Sequence, residues 1–406
     1  MKVIDVAPVW SGHSVGFCLL TRGDKQFVAY YDAERHMTVA MRSLDSDKWQ
    51  FKVLPSTIGW DSHNYITMAF DDEDHLHLAG NMHVVPLVYF RASKPLDIES
   101  LEPVNKMTGA NEVHCTYPTF LRGPANEFLF TYRDGHSGNG NQIYNVFDCA
   151  SQSWHRMLDK PLTDGQDLAN AYFNGPVRGP DGYFHLCWVW RDEGDCATNH
   201  DLSYARSKDL HNWTKADGTP LPLPLTFTNA DVIDPVPIHG GIINNNTKIG
   251  FDSQKRPIVS YQKFDAAGKT QLYNARFEDG KWKIYQTSDW DYRWDFSGVG
   301  TMVFEIHVGP VHLERDGSLT EAFSHVKYGS GVWKLDEATL KPVATAKPQA
   351  AHAEELDKVE SDFPGMGVRW GGDSGHAPKA GMHFELRWET LGTNRDHPRE
   401  KPWPAA

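Results

Sequence analysis

The feature that most constrains this chain is a repeated grammar of short strands closed by tryptophan. Phe27-Val28-Ala29-Tyr30-Tyr31, then Met37-Thr38-Val39-Ala40, then Trp49 make one unit. Phe128-Leu129-Phe130-Thr131-Tyr132 closing at Trp154 makes a second. Phe184-His185-Leu186-Cys187-Trp188 with Leu202-Ser203-Tyr204-Ala205-Arg206, closing at Trp213, makes a third. Pro257-Ile258-Val259-Ser260-Tyr261 with Gln271-Leu272-Tyr273-Asn274-Ala275-Arg276, closing at Trp282, makes a fourth. With an unmarked closing point near Ile98, the period is roughly fifty to seventy residues, which suits one β-propeller blade carrying insertions. Six or seven blades fill the 406 residues. A two-sheet sandwich built from the same strands is the alternative. No amphipathic helix longer than about three turns stands out, which argues against α/β barrels and doubly wound sheets.

The chain reads as one continuous body, residues 1–406, because Gly and Pro are spread along it and no low-complexity tract divides it. A net charge of -13 disfavours nucleic acid, since phosphate binding needs a cationic face. No apolar run is long enough to span a membrane. The start, MKVIDVAPVW, lacks the cationic segment and apolar core of a secretory signal. The expected location is therefore cytoplasmic, or periplasmic or secreted if a signal has been removed. Cys18, Cys115, Cys149, Cys187 and Cys196 are an odd number without short paired spacing, so no disulfide framework is expected.

Candidate chemistry concentrates between Trp60 and Arg91. The alternation in His75-Leu76-His77-Leu78 and in Leu87-Val88-Tyr89-Phe90 predicts two strands, and Asp71-Asp72-Glu73-Asp74 a solvated turn. His63 and His83 then fall at strand ends, where functional side chains gather. His75 and His77, two apart, share a strand face; a packed or surface role is expected rather than metal binding.

The run DSHNYITMAFDDEDHLHLAGNMHVVPLVYFR (Asp61 to Arg91), TYPTF (Thr116 to Phe120) and TYRDGHSGNGNQIYN (Thr131 to Asn145) resemble the BNR-4-type seven-bladed propellers. That group holds ulvan lyases, L-rhamnose-α-1,4-D-glucuronate lyases and related α-L-rhamnosidases. The resemblance continues through Trp188 to Ser207 and His239 to Asp252, and so covers most of the chain. It implies an all-β, seven-bladed β-propeller. It also implies that the lyase set of two histidines, a tyrosine and an arginine falls on His63, His83, Tyr117 and Arg133, with Asn64, Asn81 and Arg91 contacting substrate.

The chemistry suits those residue types. Eliminating the substituent at C4 of a uronate requires loss of the weakly acidic C5 proton, which becomes feasible when the neighbouring carboxylate is neutralised. Arg133, always charged and forked to match a carboxylate, fits that task. Tyr117 or His83 can accept and donate protons, while His63 orients the uronate. No cofactor is needed, and a structural zinc or calcium is the only inorganic group expected. The substrate implied is a rhamnose- and glucuronate-containing glycan of the arabinogalactan type.

Blander readings accompany each residue. Tyr117 before Pro118 reads as an extended strand start. Arg133 reads as a capping ion pair with Asp134. Ser137-Gly138-Asn139-Gly140 reads as a plain turn, or as an anion cradle. His185, Cys187, Cys196 and His200 offer a zinc-compatible donor set, although their intervals match no standard finger and buried packing is the simpler account. Val9 to Phe17 resembles the segment in which the rhamnosidase branch carries a catalytic histidine, here His13, on the opposite face. A glycan-binding propeller without catalysis is the third reading, and fourteen Trp and fifteen Tyr would supply its stacking surfaces.

Overall fold

The computed structural model describes residues 2–379, 381–400 and 403. They form seven antiparallel sheets, met in chain order at Cys18, Ile66, Cys115, Asn170, Lys248, Ile306 and Met366. The architecture is all-β, with two single-turn 3-10 segments, Ile98–Ser100 and Cys196–Thr198, as its helical elements among the described residues. Seven separate sheets are not the two of a sandwich. No helix among the described residues is long and apolar enough to cross a membrane, and all five cysteines are free.

One local device recurs. Between the first and second strands of the second to sixth sheets the chain reverses through five-residue turns: Asp71 to His75, Gly123 to Glu127, Gly179 to Tyr183, Asp252 to Arg256 and Glu314 to Ser318. In each, the first residue's N–H meets the fifth residue's carbonyl, and the fourth residue's N–H returns to the first residue's carbonyl. The fourth residue takes a left-handed φ: +64° at Asp74, +67° at Asn126, +85° at Gly182, +63° at Lys255 and +81° at Gly317. A type I turn followed by a left-handed residue matches the twist of the flanking strands. Where the first residue is Asp, its carboxylate also accepts two backbone N–H groups, as Asp71 does from Glu73 at 3.0 Å and His75 at 2.9 Å.

The closing tryptophans sit where the repeat predicts. Trp154, Trp213 and Trp282 lie in Ser153–Arg156, Trp213–Thr214 and Lys281–Gln286, strands beyond the third of their sheets, and Trp49 directly precedes Gln50–Thr57. Apolar clusters fill the spaces between consecutive sheets from first to sixth, and the cluster of the first two sheets also takes in Trp388 of the seventh. The second sheet departs from the expected boundaries. Its strands are Ile66–Phe70, Leu76–Gly80, Tyr89–Ala92 and Leu101–Pro103, so His75 belongs to the turn and Leu87-Val88 to a connection. Between them His83–Val85 leaves the second sheet and pairs with Cys115–Arg122 at the edge of the third. That excursion carries His83 across to Tyr117.

Candidate active site

The register puts the five-residue turns at one end of the second and third sheets and the candidate residues at the other. Phe70 faces Leu76 at the turn end, whereas Ile66 faces Gly80 next to the loops that hold His63 and His83. In the third sheet Arg122 faces Phe128 at the turn end, and Thr116 faces Arg133 at the site end. Pairing is broken between Thr116 and Thr119, so Tyr117 and Pro118 bulge out. Tyr117 therefore has φ +58° rather than the extended conformation expected before proline. A bulge of this kind re-aims a side chain, and here it sets the Tyr117 ring 5.6 Å from His63 and beneath the Arg133 guanidinium at 5.0 Å.

The two imidazoles stack at 4.0 Å and share one carboxylate, Asp61. His63 Nδ1 lies 2.6 Å from Asp61 Oδ1, and His83 Nδ1 is bonded to Oδ2. Burial alone would raise Asp61, but the two histidine bonds outweigh it and hold the carboxyl well below the usual carboxylate range. An ionised Asp61 has only acceptors to offer, so each ring presents Nδ1–H to it, and an imidazole held in that tautomer keeps Nε2 as its acceptor. Among the described residues, Asp61, His63 and His83 are the one group of three metal-type donors within 4.8 Å. Their contacts have hydrogen-bond length, so shared protons account for them without an ion.

Arg133 is 1% exposed and forms no ion pair among the described residues. Asp134, its expected partner, bonds Asn111 instead. Arg133 Nη2 donates to Thr116 Oγ1 at 3.1 Å and Nη1 to Tyr172 Oη at 3.4 Å, while Nε has no partner among the described residues. Tyr172 is a residue the sequence reading missed. Burial raises its phenol, but Arg133 and Arg191 more than offset that, so its value falls below the ordinary one. Its hydroxyl also meets Ser137 Oγ at 2.6 Å, which makes Ser137-Gly138 a hairpin turn anchored on Tyr172. Tyr117 goes the other way: burial and Tyr172 push it up, and the guanidiniums only partly offset them, so it stays a neutral phenol.

Other expected residues lie elsewhere or serve the frame. Asn64 is buried, with its carbonyl accepting the Tyr31 hydroxyl at 2.6 Å. Asn81 donates to Ser56 Oγ and the Thr57 carbonyl in the first sheet. Arg91 pairs across from His77 at the turn end, bonded to Gln152 and 3.5 Å from Asp71, away from the histidine pair. His77 is buried between Asp71 and the Tyr89 hydroxyl, the packed role expected for it. The four zinc candidates are not brought together. His185 spends its ring nitrogens on Tyr204 and Asp181, and His200 on Asp201 and Asp192. Cys187 and Cys196 lie in different apolar clusters. His13 is 2% exposed, takes a hydrogen bond from Trp10 Nε1 at 3.1 Å, and packs 5.9 Å from Trp60. Burial lowers the His13 imidazole, and Asp61 and Asp396, which also face His63, partly offset it, so His13 lies near the histidine pair.

The family model for BNR repeat-containing family members matches residues 25–290. The chain belongs to that family. Comparison with curated proteins returned no match. Among solved structures, a polysaccharide lyase of family PL25, an ulvan lyase, superposes with a TM-score of 0.58 at 14% identity, covering 84% of this chain and 85% of its own. The same lyase bound to -[GlcA(1-4)Rha3S]- gives the same figures. The polysaccharide lyase Uly1 gives 0.57 at 14% identity, covering 94% and 90%. At that identity the likeness is one of fold.

Proposed function

We propose that this BNR-repeat protein is a polysaccharide lyase that cleaves L-rhamnose-α-1,4-D-glucuronate linkages by β-elimination, releasing rhamnose and leaving an unsaturated uronate. One observation carries the reading: a buried guanidinium without a carboxylate, Arg133, lies against Tyr117 next to a carboxylate-held histidine pair. A buried cation is costly unless an anion meets it, and a uronate carboxylate supplies that anion. Neutralised there, the uronate can lose its C5 proton to His83 Nε2, the more open of the two imidazoles. Tyr117, a neutral phenol, protonates the departing O4. His63 orients the sugar, and Tyr172 holds Arg133.

Seven sheets support a seven-bladed propeller spanning residues 1–406. So does the docking of the seventh on the first, where Leu19 bridges Asp373 and Ser374 N–H donates to the Leu19 carbonyl at 2.9 Å. A lectin has no need of an uncompensated Arg133 beside two imidazoles. The linkage named for the ligand of the ulvan lyase joins the same two sugars, but its rhamnose is sulfated. The acidity of this chain favours an unsulfated, arabinogalactan-type glycan.

The deciding experiment incubates the protein with a rhamnose-capped glucuronate oligosaccharide and follows free rhamnose together with ultraviolet absorption. Rhamnose with rising absorption, from the conjugated double bond, supports elimination. Rhamnose without absorption supports hydrolysis and overturns the proposal.

A further inference from the structure

Asp396 reaches the site from the far end of the chain, outside the residues 25–290 that the family model covers. Two successive residues there, Arg395 at φ +52° and Asp396 at φ +60°, take the left-handed conformation that a non-glycine residue keeps only when its surroundings impose it. The surroundings are specific. Arg395 Nη1 donates to the carbonyls of Ser297 at 3.1 Å and Val299 at 3.3 Å. Gly300 approaches so closely that an added Cβ would stand 2.3 Å from the Arg395 carbonyl oxygen. The Asp396 carboxylate, 11% exposed, accepts the Ser62 N–H at 3.0 Å and the Ser62 hydroxyl at 2.8 Å through Oδ1, and the Thr301 N–H at 2.7 Å through Oδ2. Ser62 Oγ and Thr301 Oγ1 meet at 2.6 Å. Three separate chain segments are thus tied at the residue between Asp61 and His63.

We infer that Asp396 is a positioning residue: by holding Ser62 it keeps His63 Nδ1 on Asp61 and turns His63 Nε2 toward the substrate. What His63 does there rests on the lyase reading; where it is held does not. The charged and titratable groups around the His63 ring are Asp61, His83 and Tyr117, with Asp396 Oδ2 at 3.7 Å; His13 is in turn influenced by Asp61 and Asp396. Both anions stand on the Nδ1 side, so the opposite nitrogen is the one left free. Removing Asp396 leaves the ring its bond to Asp61 and its packing on His83 and Tyr117, but frees the neighbouring Ser62 backbone from its anchor.

The test uses Asp396→Asn and Asp396→Ala, with Ser62→Ala as a milder variant that keeps the carboxylate. Asn cannot accept from both Ser62 and Thr301, since one of its two positions is a donor. Three quantities are read: melting temperature, kcat and KM on the rhamnosyl-glucuronate oligosaccharide, and the imidazole 15N resonances of His63, assigned by their loss in His63→Gln. The expected result is a fall in kcat of roughly 10- to 100-fold with KM little changed, because a small misplacement of a reacting group is costly. The His63 spectrum should pass from the Nδ1–H tautomer to a mixture, and the melting temperature should fall by only a few degrees with the loss of the three Asp396 hydrogen bonds. A His63 spectrum in Asp396→Ala identical to that of the parent overturns the inference. If the parent protein shows no elimination at all, the lyase reading fails, and the His63 spectrum alone still decides the positioning.

Discussion

Removing the Arg133 guanidinium should abolish elimination while leaving the fold nearly as stable as before. Arg133→Ala deletes two hydrogen bonds, to Thr116 and Tyr172, worth about 1 kcal/mol each. Both acceptors keep other partners: Thr116 Oγ1 still receives the Val84 N–H at 2.9 Å, and Tyr172 still meets Ser137. Against that loss stands relief of a cation buried without a carboxylate, so the net change should be no more than about 2 kcal/mol and the melting temperature should move by a few degrees. In the transition state the guanidinium faces a uronate acquiring enolate charge. At about 4 Å and an effective dielectric near 20, that attraction is of order 4 kcal/mol, or about 10³-fold in rate. Arg133→Lys keeps a point charge but loses the fork and should fall between parent and alanine variant. The assay is absorbance of the unsaturated uronate, beside a melt and an alkaline absorbance titration. In the parent, Tyr172 is held below its ordinary value, so it contributes stability that is complete above the ordinary tyrosine value of about 10 and is lost as pH falls through the lowered one. That low-lying tyrosinate signal should vanish in Arg133→Ala. If Arg133→Ala keeps kcat/KM within tenfold of the parent, the guanidinium does not neutralise the substrate and the reasoning is wrong.

Three further outcomes follow. Tyr117→Phe preserves the ring that packs on His63 and Arg133 but removes the donor, and should lower kcat by roughly 10²- to 10⁴-fold with KM and melting temperature little changed; a kcat equal to that of the parent excludes Tyr117 as the acid. Asp61→Asn can accept from one imidazole but not from both, so the histidine tautomers should scramble and kcat fall by a similar roughly 10²- to 10⁴-fold, read by steady-state kinetics and imidazole 15N spectra. Glu321, fully buried and accepting a hydrogen bond from Asn274 Nδ2 at 2.8 Å, is pushed up by burial to about 8. Because its folded value lies above its unfolded one, stability is greatest below about 4.3 and falls by about 1.4 kcal/mol per pH unit up to about 8; Glu321→Gln should flatten that slope in denaturant titrations between these limits, and an unchanged slope would discount Glu321 as its source.

The repeat was legible because it is written in residue types that packing demands: β-branched and aromatic runs for buried strands, and a tryptophan near the outer strand of four of the sheets. The sixth and seventh sheets were harder to read. Val308, Gly309, Pro310 and Val311 interrupt their strand with a bulge, and Met366–Gly372 is half-exposed along its length, so neither shows clean alternation. The five-residue turns carry more of the period than the tryptophans do, but Asp71, Gly123, Gly179, Asp252 and Glu314 open them with three different residues. What they share is a hydrogen-bond pattern and a left-handed fourth residue, a backbone property that letters record only when Gly or Asn happens to fill the place.

The site shows the same division. His63, His83, Tyr117 and Arg133 were legible through resemblance to a family whose motifs keep their spacing, and the structure brings all four to one sheet end. Asp61 was within reach, two residues before His63 in Asp-Ser-His, a spacing that lets one carboxylate oxygen take both the His63 N–H and its imidazole. Its second oxygen binding His83 depends on the excursion of His83–Val85 into the third sheet, which no local pattern announces. Tyr172 and Asp396 are further removed, since each is defined by where a different sheet ends. The residues proposed for the chemistry stand in motifs because elimination would restrict their types. Those that aim them need only an acceptor at the right point in space, and any strand end or terminal segment that passes there can supply it.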